Sequence, residues 1–304
     1  MKINYKPLLL GVAFLGILQS CQQNKSKKAP LDGFITGTTQ ISADESFAPI
    51  LDEELYVFKA SFPEANPVIT YKPEADVVNE LLNDKVRAVI LARNLDTAEL
   101  GVLKRRTLTA DVNKFAIDAV ALIVNEASAD TTITVKEIKS MLLGQSKTDR
   151  NIVFDNPNSS LVRYLKDLTG SKELKQKNIY ALNSSKEVIK YVSTHPNSVG
   201  ITGFAWLNDP DKDYKDAVGK VKIVGVKDEN SKIAPNEYFK PSQNTLVQHL
   251  YPLSRSLYII DCTARKGLAA GFASFLASER GQRIILKSGL LPDSIPSREI
   301  NLIH

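Results

Sequence analysis

The sequence predicts an α/β fold of two lobes. Three observations point there: strand-like and helical segments alternate from Gly33 onward, several strands are short continuous apolar runs, and 304 residues suffice for two packed units. FITGT reads as a strand, ESFAPILDEELYVFKASF as a helix beginning near Ser46, and NPVITY as a strand after a turn. EADVVNELLND is helical, VRAVILA is a buried strand, and LDTAELGVL is a short helix. In the next block AVALIVN is a strand, TVKEIKSMLLG a helix stopped by Gly144, and NIVF a strand. The stretch NSSLVRYLKDLTG follows as a helix capped by Asn158 or Ser159, with Leu161, Tyr164, Leu165 and Leu168 at helical spacing and Gly170 as its end. SSKEVIKYVSTHP opens on a capping serine and ends before Pro196, and SVGITGF is another strand. The polar stretch from Asp209 to Asn244 predicts only a hairpin and loops. SRSLYII then returns as a strand, followed by LAAGFASFLASERGQRIILKSG as one or two helices.

With 43% hydrophobic and 24% charged residues, composition excludes both a disordered chain and a membrane bundle. The N-terminus carries Lys2 and Lys6, then the apolar core LLLGVAFLGIL, then LQSC ending at Cys21. This is the pattern of a secretory signal, its apolar region short for a membrane span. LQSC resembles the lipobox of bacterial lipoproteins, which makes residues 1–21 a lipoprotein signal peptide and Cys21 the lipidation site. Two or more acyl chains there would anchor the protein stably, and residues 22–31 would form a flexible tether. The tether QQNKSKKAP has no acidic residue, which favours the periplasm: inner membrane, or inner leaflet of the outer membrane. Removing the signal lowers the net charge of +5 to about +3, too mild to imply nucleic acid. With Cys21 acylated, Cys262 has no disulfide partner and reads as a buried, inert thiol.

Catalytic signatures are missing from the sequence. There is no Gly-x-Ser-x-Gly elbow, no Walker loop and no Gly-x-Gly-x-x-Gly, so no nucleophile with its base can be named. His195, His249 and His304 lie far apart, which argues against a metal site, and His195 beside Pro196 reads as a helix-terminus residue. Helix starts remain. Ser46 and Phe47 open one helix, Ser159 and Ser160 another, and unpaired N–H groups there suit an anion wherever such a start faces a cleft. Arg93 ends the buried strand VILAR, where a charge needs a partner: either a structural salt bridge or one arm of an oxyanion clamp.

Collinear segments carry a family resemblance across Phe34 to Ser297: ADESFAPIL, VILARNLDTAEL, FAIDAVALIVN, TVKEIKSMLLG, FDNPNSSLVRYL, NSVGITGF, YPLSRSLYI and FASFLASERGQRIILKSGLLP. In order and spacing the chain resembles the phosphate-type, PstS-like substrate-binding proteins of ABC transporters. The resemblance implies a type II-like Venus-flytrap with a ligand cleft between its lobes. Lobe 1 would comprise residues 32–115 and 256–304, and lobe 2 residues 116–255, with hinge strands near VNKFAID and SRSLYII. It further implies a tetrahedral oxyanion held by Ser46, the Phe47 backbone, Ser159 and the Ser160 backbone. Two positions depart from the family pattern: Arg93 stands where phosphate binders have an aspartate, and Asp155 where they have an arginine. A reciprocal exchange of the pair across the pocket is the expectation, with Asp155 selecting a protonated anion. Leu161 also replaces a hydroxyl ligand, for which Arg163 is a candidate substitute. By this resemblance the protein would be a lipid-anchored, monomeric receptor that passes phosphate or a similar oxyanion to an inner-membrane ABC permease, without cofactor or catalysis. The alternative is a scaffold or sensor of the cell envelope with a degenerate anion pocket.

Overall fold

A single long strand, β4 (Asp111–Asn125), organises the fold. Its first part lies antiparallel to β11 (Ser254–Asp261), and its second part, from Val120, antiparallel to β8 (Ser198–Gly203). On the β11 side stand β1 (Gly37–Asp44), β2 (Ala65–Lys72) and β3 (Ala88–Leu91). On the β8 side stand β6 (Asn151–Phe154) and β7 (Ile179–Ala181). The computed structural model describes residues 32–146, 149–174 and 177–294. Among them ten strands form one sheet of order β2-β1-β3-β11-β4-β8-β6-β7, with β9 (Val221–Ile223) and β12 (Leu291–Pro292) also paired to β4. The signal peptide, the tether and Cys21 lie outside the described residues, and no described helix is long and apolar enough to cross a membrane.

Both halves are built from strand–helix units. β1 runs parallel to β2 and β3, and β6 parallel to β7 and β8, so the central strands need cover on both faces: β3 (AVIL) is buried at every position and β6 (NIVF) from Ile152 to Phe154. The cover comes from α1 (Ala48–Ser61), α2 (Glu74–Leu82) and α3 (Thr97–Arg105) in the first half. It comes from α4 (Val135–Leu142), α5 (Ser160–Thr169) and α6 (Ser185–Thr194) in the second. Capping boxes start α3 (Asp96 with Glu99) and α4 (Thr134 with Glu137), while left-handed glycines follow α4 and end α5: Gly144 at φ 68° and Gly170 at φ 69°. The short α7 (Ala205–Asn208) follows β8 directly.

Near the C-terminus the predicted helical stretch divides in two, α10 (Leu268–Ala277) and α11 (Glu279–Lys287), because Ser278 turns extended and caps the second helix by accepting from Gly281 N. α10 packs on α1 through Phe58, Phe62, Phe272 and Phe275, with ring centroids 5.1–5.2 Å from that of Phe58. Gly271 on α10 faces the Phe34 backbone, and a Cβ there would sit 1.7 Å from the Phe34 carbonyl oxygen. Gly271→Ala should therefore lower the unfolding midpoint by the equivalent of about 1–3 kcal/mol, read by thermal denaturation.

Two local expectations need correction. Only the end of FITGT is strand: Gly33 and Thr36 form an isolated bridge, Phe34 and Ile35 lie at the surface at 43% exposure, and β1 begins at Gly37. The apolar pair signalled burial, but no strand among the described residues pairs with Phe34 or Ile35. The stretch from Asp209 to Asn244 holds more than a hairpin and loops. It contains α8 (Lys215–Val218), β9, β10 (Gly225–Lys227) and the start of α9 (Gln243–Val247). β9 and β10 do not pair with each other, since β9 joins β4 and β10 joins β5 (Thr132–Thr134). Cys262 is a free, buried thiol whose burial pushes it up to about 11, in keeping with an inert core residue.

Candidate functional site

Two strand ends meet where the sheet halves join. β1 stops at Asp44 and enters the single 3₁₀ turn Glu45–Phe47 that leads into α1. β6 stops at Phe154, and the turn from Asp155 to Ser159 leads into α5. Carboxyl ends of strands followed by helix starts are where open α/β sheets place ligands. Here the two starts touch: Ser46 Oγ and Ser160 Oγ lie 3.5 Å apart although 114 residues separate them in sequence.

Each turn is held by its own aspartate. Asp44 Oδ1 accepts from Ser46 N at 3.0 Å, and Asp155 Oδ1 accepts from the Ser159 hydroxyl at 2.5 Å. Ser159 Oγ in turn accepts from Val162 N at 3.2 Å, so Ser159 rather than Asn158 is the cap of α5. Asp44, Ser46, Asp155, Ser159 and Ser160 are all at most 1% exposed. Burial raises Asp44, against the opposing pull of Arg255. It pushes Asp155 up to about 7, with Ser159 opposing and Asp44 adding to the rise. Glu45 is likewise pushed up to about 7, by burial and then by Asp44.

The guanidinium among these groups belongs to Arg255, on β11. Nε and Nη2 donate to Asp118 Oδ2 at 3.0 and 2.8 Å, Nη1 donates to Ser160 Oγ at 2.8 Å, and the Phe47 ring lies 4.8 Å from the guanidinium carbon. Arg255 and Asp118 are directly opposite in the β11–β4 register, so the pair is built into the ladder itself. Gly203, at the end of β8, leaves room for it: a Cβ there would lie 3.1 Å from Arg255 Nη2.

Ser46, Phe47, Asp155, Ser159 and Ser160 are thus gathered at one place, with Phe47 contributing its ring to Arg255. Arg93 is placed elsewhere. Its guanidinium donates to both oxygens of Glu99 at 2.7 Å and lies 3.4 Å from Glu74 Oε1, and Asp155 is not among its partners. Glu74 also accepts from Arg163, which engages Glu74 and Asp167 in place of the serines. Glu74 starts α2 and Arg163 lies on α5, so this pair ties the two sheet halves together. Ala75 N donates to Asn158 O at 3.2 Å, and Trp206 Nε1 donates to Ser46 O at 2.9 Å, adding two further ties. Arg255, Asp118 and Asp44 were not singled out from sequence. The available signal was parity: Arg255 shares the inward face of β11 with Leu257 and Ile259, a position where a charge demands a buried partner.

No cluster of His, Cys, Asp and Glu able to hold a metal is present among the described residues. His195 ends α6, its ring stacked on Tyr191 with centroids 3.8 Å apart.

Known proteins agree with this architecture. A putative phosphate ABC transporter substrate-binding protein from Clostridium perfringens, solved with bound phosphate, superposes with a TM-score of 0.70 at 18% identity over 85% of this chain and 100% of its own. An ABC-type phosphate transport receptor from Vibrio cholerae gives 0.62 at 20% identity, over 83% and 99% of the two chains. The reduced OxyR regulatory domain from Pseudomonas aeruginosa gives 0.53 at 11% identity, over 80% and 98%. No curated protein sequence matches the chain. The fold shared with these structures is the type II arrangement expected from the sequence. The PBP superfamily domain matches residues 29–280, the greater part of the chain, and the chain belongs to that superfamily.

Proposed function

We propose that the protein is a receptor for phosphate or a related tetrahedral oxyanion, which it passes to an ABC permease of the inner membrane. In this reading it is a monomer at the periplasmic face of a membrane, held by lipid on Cys21. The observation that carries the proposal is the meeting of two hydroxyl-bearing helix starts, Ser46 and Ser160, with Arg255 Nη1 2.8 Å from the Ser160 hydroxyl. The site is sealed, so a ligand enters only when the halves part. Closing the Glu74–Arg163 and Ala75–Asn158 contacts over the ligand would then exchange its hydration shell for fixed donors. The PstS-like relatives, among them the phosphate-bound structure, support the ligand class.

Isothermal titration of the purified full-length chain with phosphate tests this: saturable binding with one site per chain is expected. A second reading, a scaffold or sensor of the envelope, draws on Arg93, which Glu99 and Glu74 occupy, and on Leu161 in place of a hydroxyl. Absence of heat with every oxyanion would favour it.

A further inference from the structure

We propose that the face carrying Phe34 and Ile35 docks on the lipid surface to which the protein is anchored, so that the folded body rests on the bilayer with its oxyanion site turned away from it. This rests on the lipid-anchor reading above and adds the surface by which the body meets the membrane.

Phe34 and Ile35 are each 43% exposed, and they are the only sequence neighbours among the exposed large hydrophobic side chains of the described residues. Single apolar side chains at a surface are ordinary, whereas a pair beside an apolar groove marks a contact. With Phe62, just after α1, and Phe275 of α10 they line a groove of about 340 Å³, and the exposed Arg280 stands at it. Ile35 and Phe62 also line an adjoining hollow with Thr36 and Pro63, so the apolar surface continues past the groove.

The pair is held outward by its backbone. Asp32 Oδ1 accepts from Leu268 N at the start of α10, and Oδ2 from Arg265, both at 2.7 Å. Gly33 N donates to Thr36 O at 3.0 Å, closing a turn around Phe34 and Ile35, and the Phe34 carbonyl lies against Gly271. With the turn tied down in advance, presenting the two side chains to a partner costs little further ordering.

The chain in front of this turn indicates the partner. Cys21, the lipid-bearing residue in this reading, precedes Asp32 by eleven residues (32 − 21). A chain of that length spans at most about 40 Å, and about 20 Å on average as a random coil, so Phe34 stays within short reach of the bilayer. The intervening QQNKSKKAPL carries Lys25, Lys27 and Lys28 and no acidic residue, which suits anionic headgroups. Arg280 adds a cation at the groove itself. Apolar side chains entering the acyl boundary, with cations left among the headgroups, is the arrangement of an interfacial contact.

Docking there would orient the site. β1 begins at Gly37, beside the pair, and ends at Asp44 in the oxyanion site, and its eight residues measure about 25 Å. The site is thereby held toward the aqueous side. A contact made by two side chains is weak and reversible, so the body can lift from the bilayer while the lipid stays inserted.

The test uses the full chain expressed with its own signal, purified in its lipid-bearing form and reconstituted into vesicles of phosphatidylethanolamine and phosphatidylglycerol. Phe34→Trp places a fluorophore on the face, and Tyr180→Trp, on the exposed edge strand β7, is the control. The emission of the buried Trp206 is subtracted. Brominated acyl chains should quench most of the emission that Phe34→Trp adds and leave that of Tyr180→Trp unchanged. Ile35→Trp is read in the same way, so the result does not depend on one variant folding. No quenching at either position, or equal quenching of Tyr180→Trp, overturns the docking; where mass spectrometry finds acyl chains on Cys21, the lipid-anchored receptor still stands. Emission that is blue-shifted yet unquenched would mean that a second copy or residues 295–304 cover the groove, and overturns the docking too. A mature chain with no acyl group on Cys21 overturns the anchor and the docking together.

Discussion

Arg255→Met is expected to destabilise the fold by about 3–5 kcal/mol, the usual result of removing one member of a buried ion pair. The Arg255 side chain is 2% exposed and that of Asp118 0%. Without the guanidinium, Asp118 is stranded in the middle of β4, and the Ser160 hydroxyl loses its donor. Asp44 and Asp155 lose the positive charge that opposes their burial, so both shift further toward their protonated forms. Chemical denaturation reads the effect, and a loss below about 1 kcal/mol would show that the pair does not anchor the junction of the sheet halves. Replacing both partners, Arg255→Met with Asp118→Leu, should recover most of the stability, because a buried pair exchanged for apolar contacts is often neutral. The double variant would still lack the donor to Ser160, so recovered folding without oxyanion binding is the expected combination.

The second large effect is a gain. Glu54 lies on the buried face of α1 with Ile50, Leu51 and Phe58, and neither carboxyl oxygen has a hydrogen-bond partner among the described residues. Burial, with a smaller push from Glu53, raises it to about 9 from an ordinary 4.5. The folded state therefore binds a proton that the unfolded state releases anywhere between those two values. The resulting penalty is absent below about pH 4.5, grows through neutrality, and levels off above about pH 9. At pH 7 it amounts to about 3 kcal/mol. Glu54→Met, close in volume and free of charge, should raise the melting temperature by an amount that widens from acid to alkaline pH. A difference between variant and wild type that stays constant across that range would mean Glu54 is not held protonated in the fold.

Legibility followed the range of the forces involved. The α5 region was readable because its determinants are local: Ser159 caps Val162 three residues on, Leu161 and Leu165 repeat at helical spacing, and Gly170 takes the left-handed turn. β3 was readable because a strand buried on both faces is apolar at every position. Segments whose state depends on a distant partner were less so. Phe34 and Ile35 looked like strand and find no neighbour to pair with, and β9 and β10 looked like one hairpin but are claimed separately by β4 and β5.

The candidate site divides in the same way. Sequence by itself determined the α/β class, the two hydroxyl-bearing helix starts at Ser46 and Ser159–Ser160, and the buried thiol of Cys262. Which arginine joins those serines was decided by tertiary structure. Arg93 is captured by Glu99 six residues away, whereas Arg255 reaches Asp118 across 137 residues and Ser160 across 95. A charge at a strand end announces that it needs a partner, but its identity depends on strand order and register. Those are set by the packing of the whole sheet, and they place Arg255 opposite Asp118 where the two halves join.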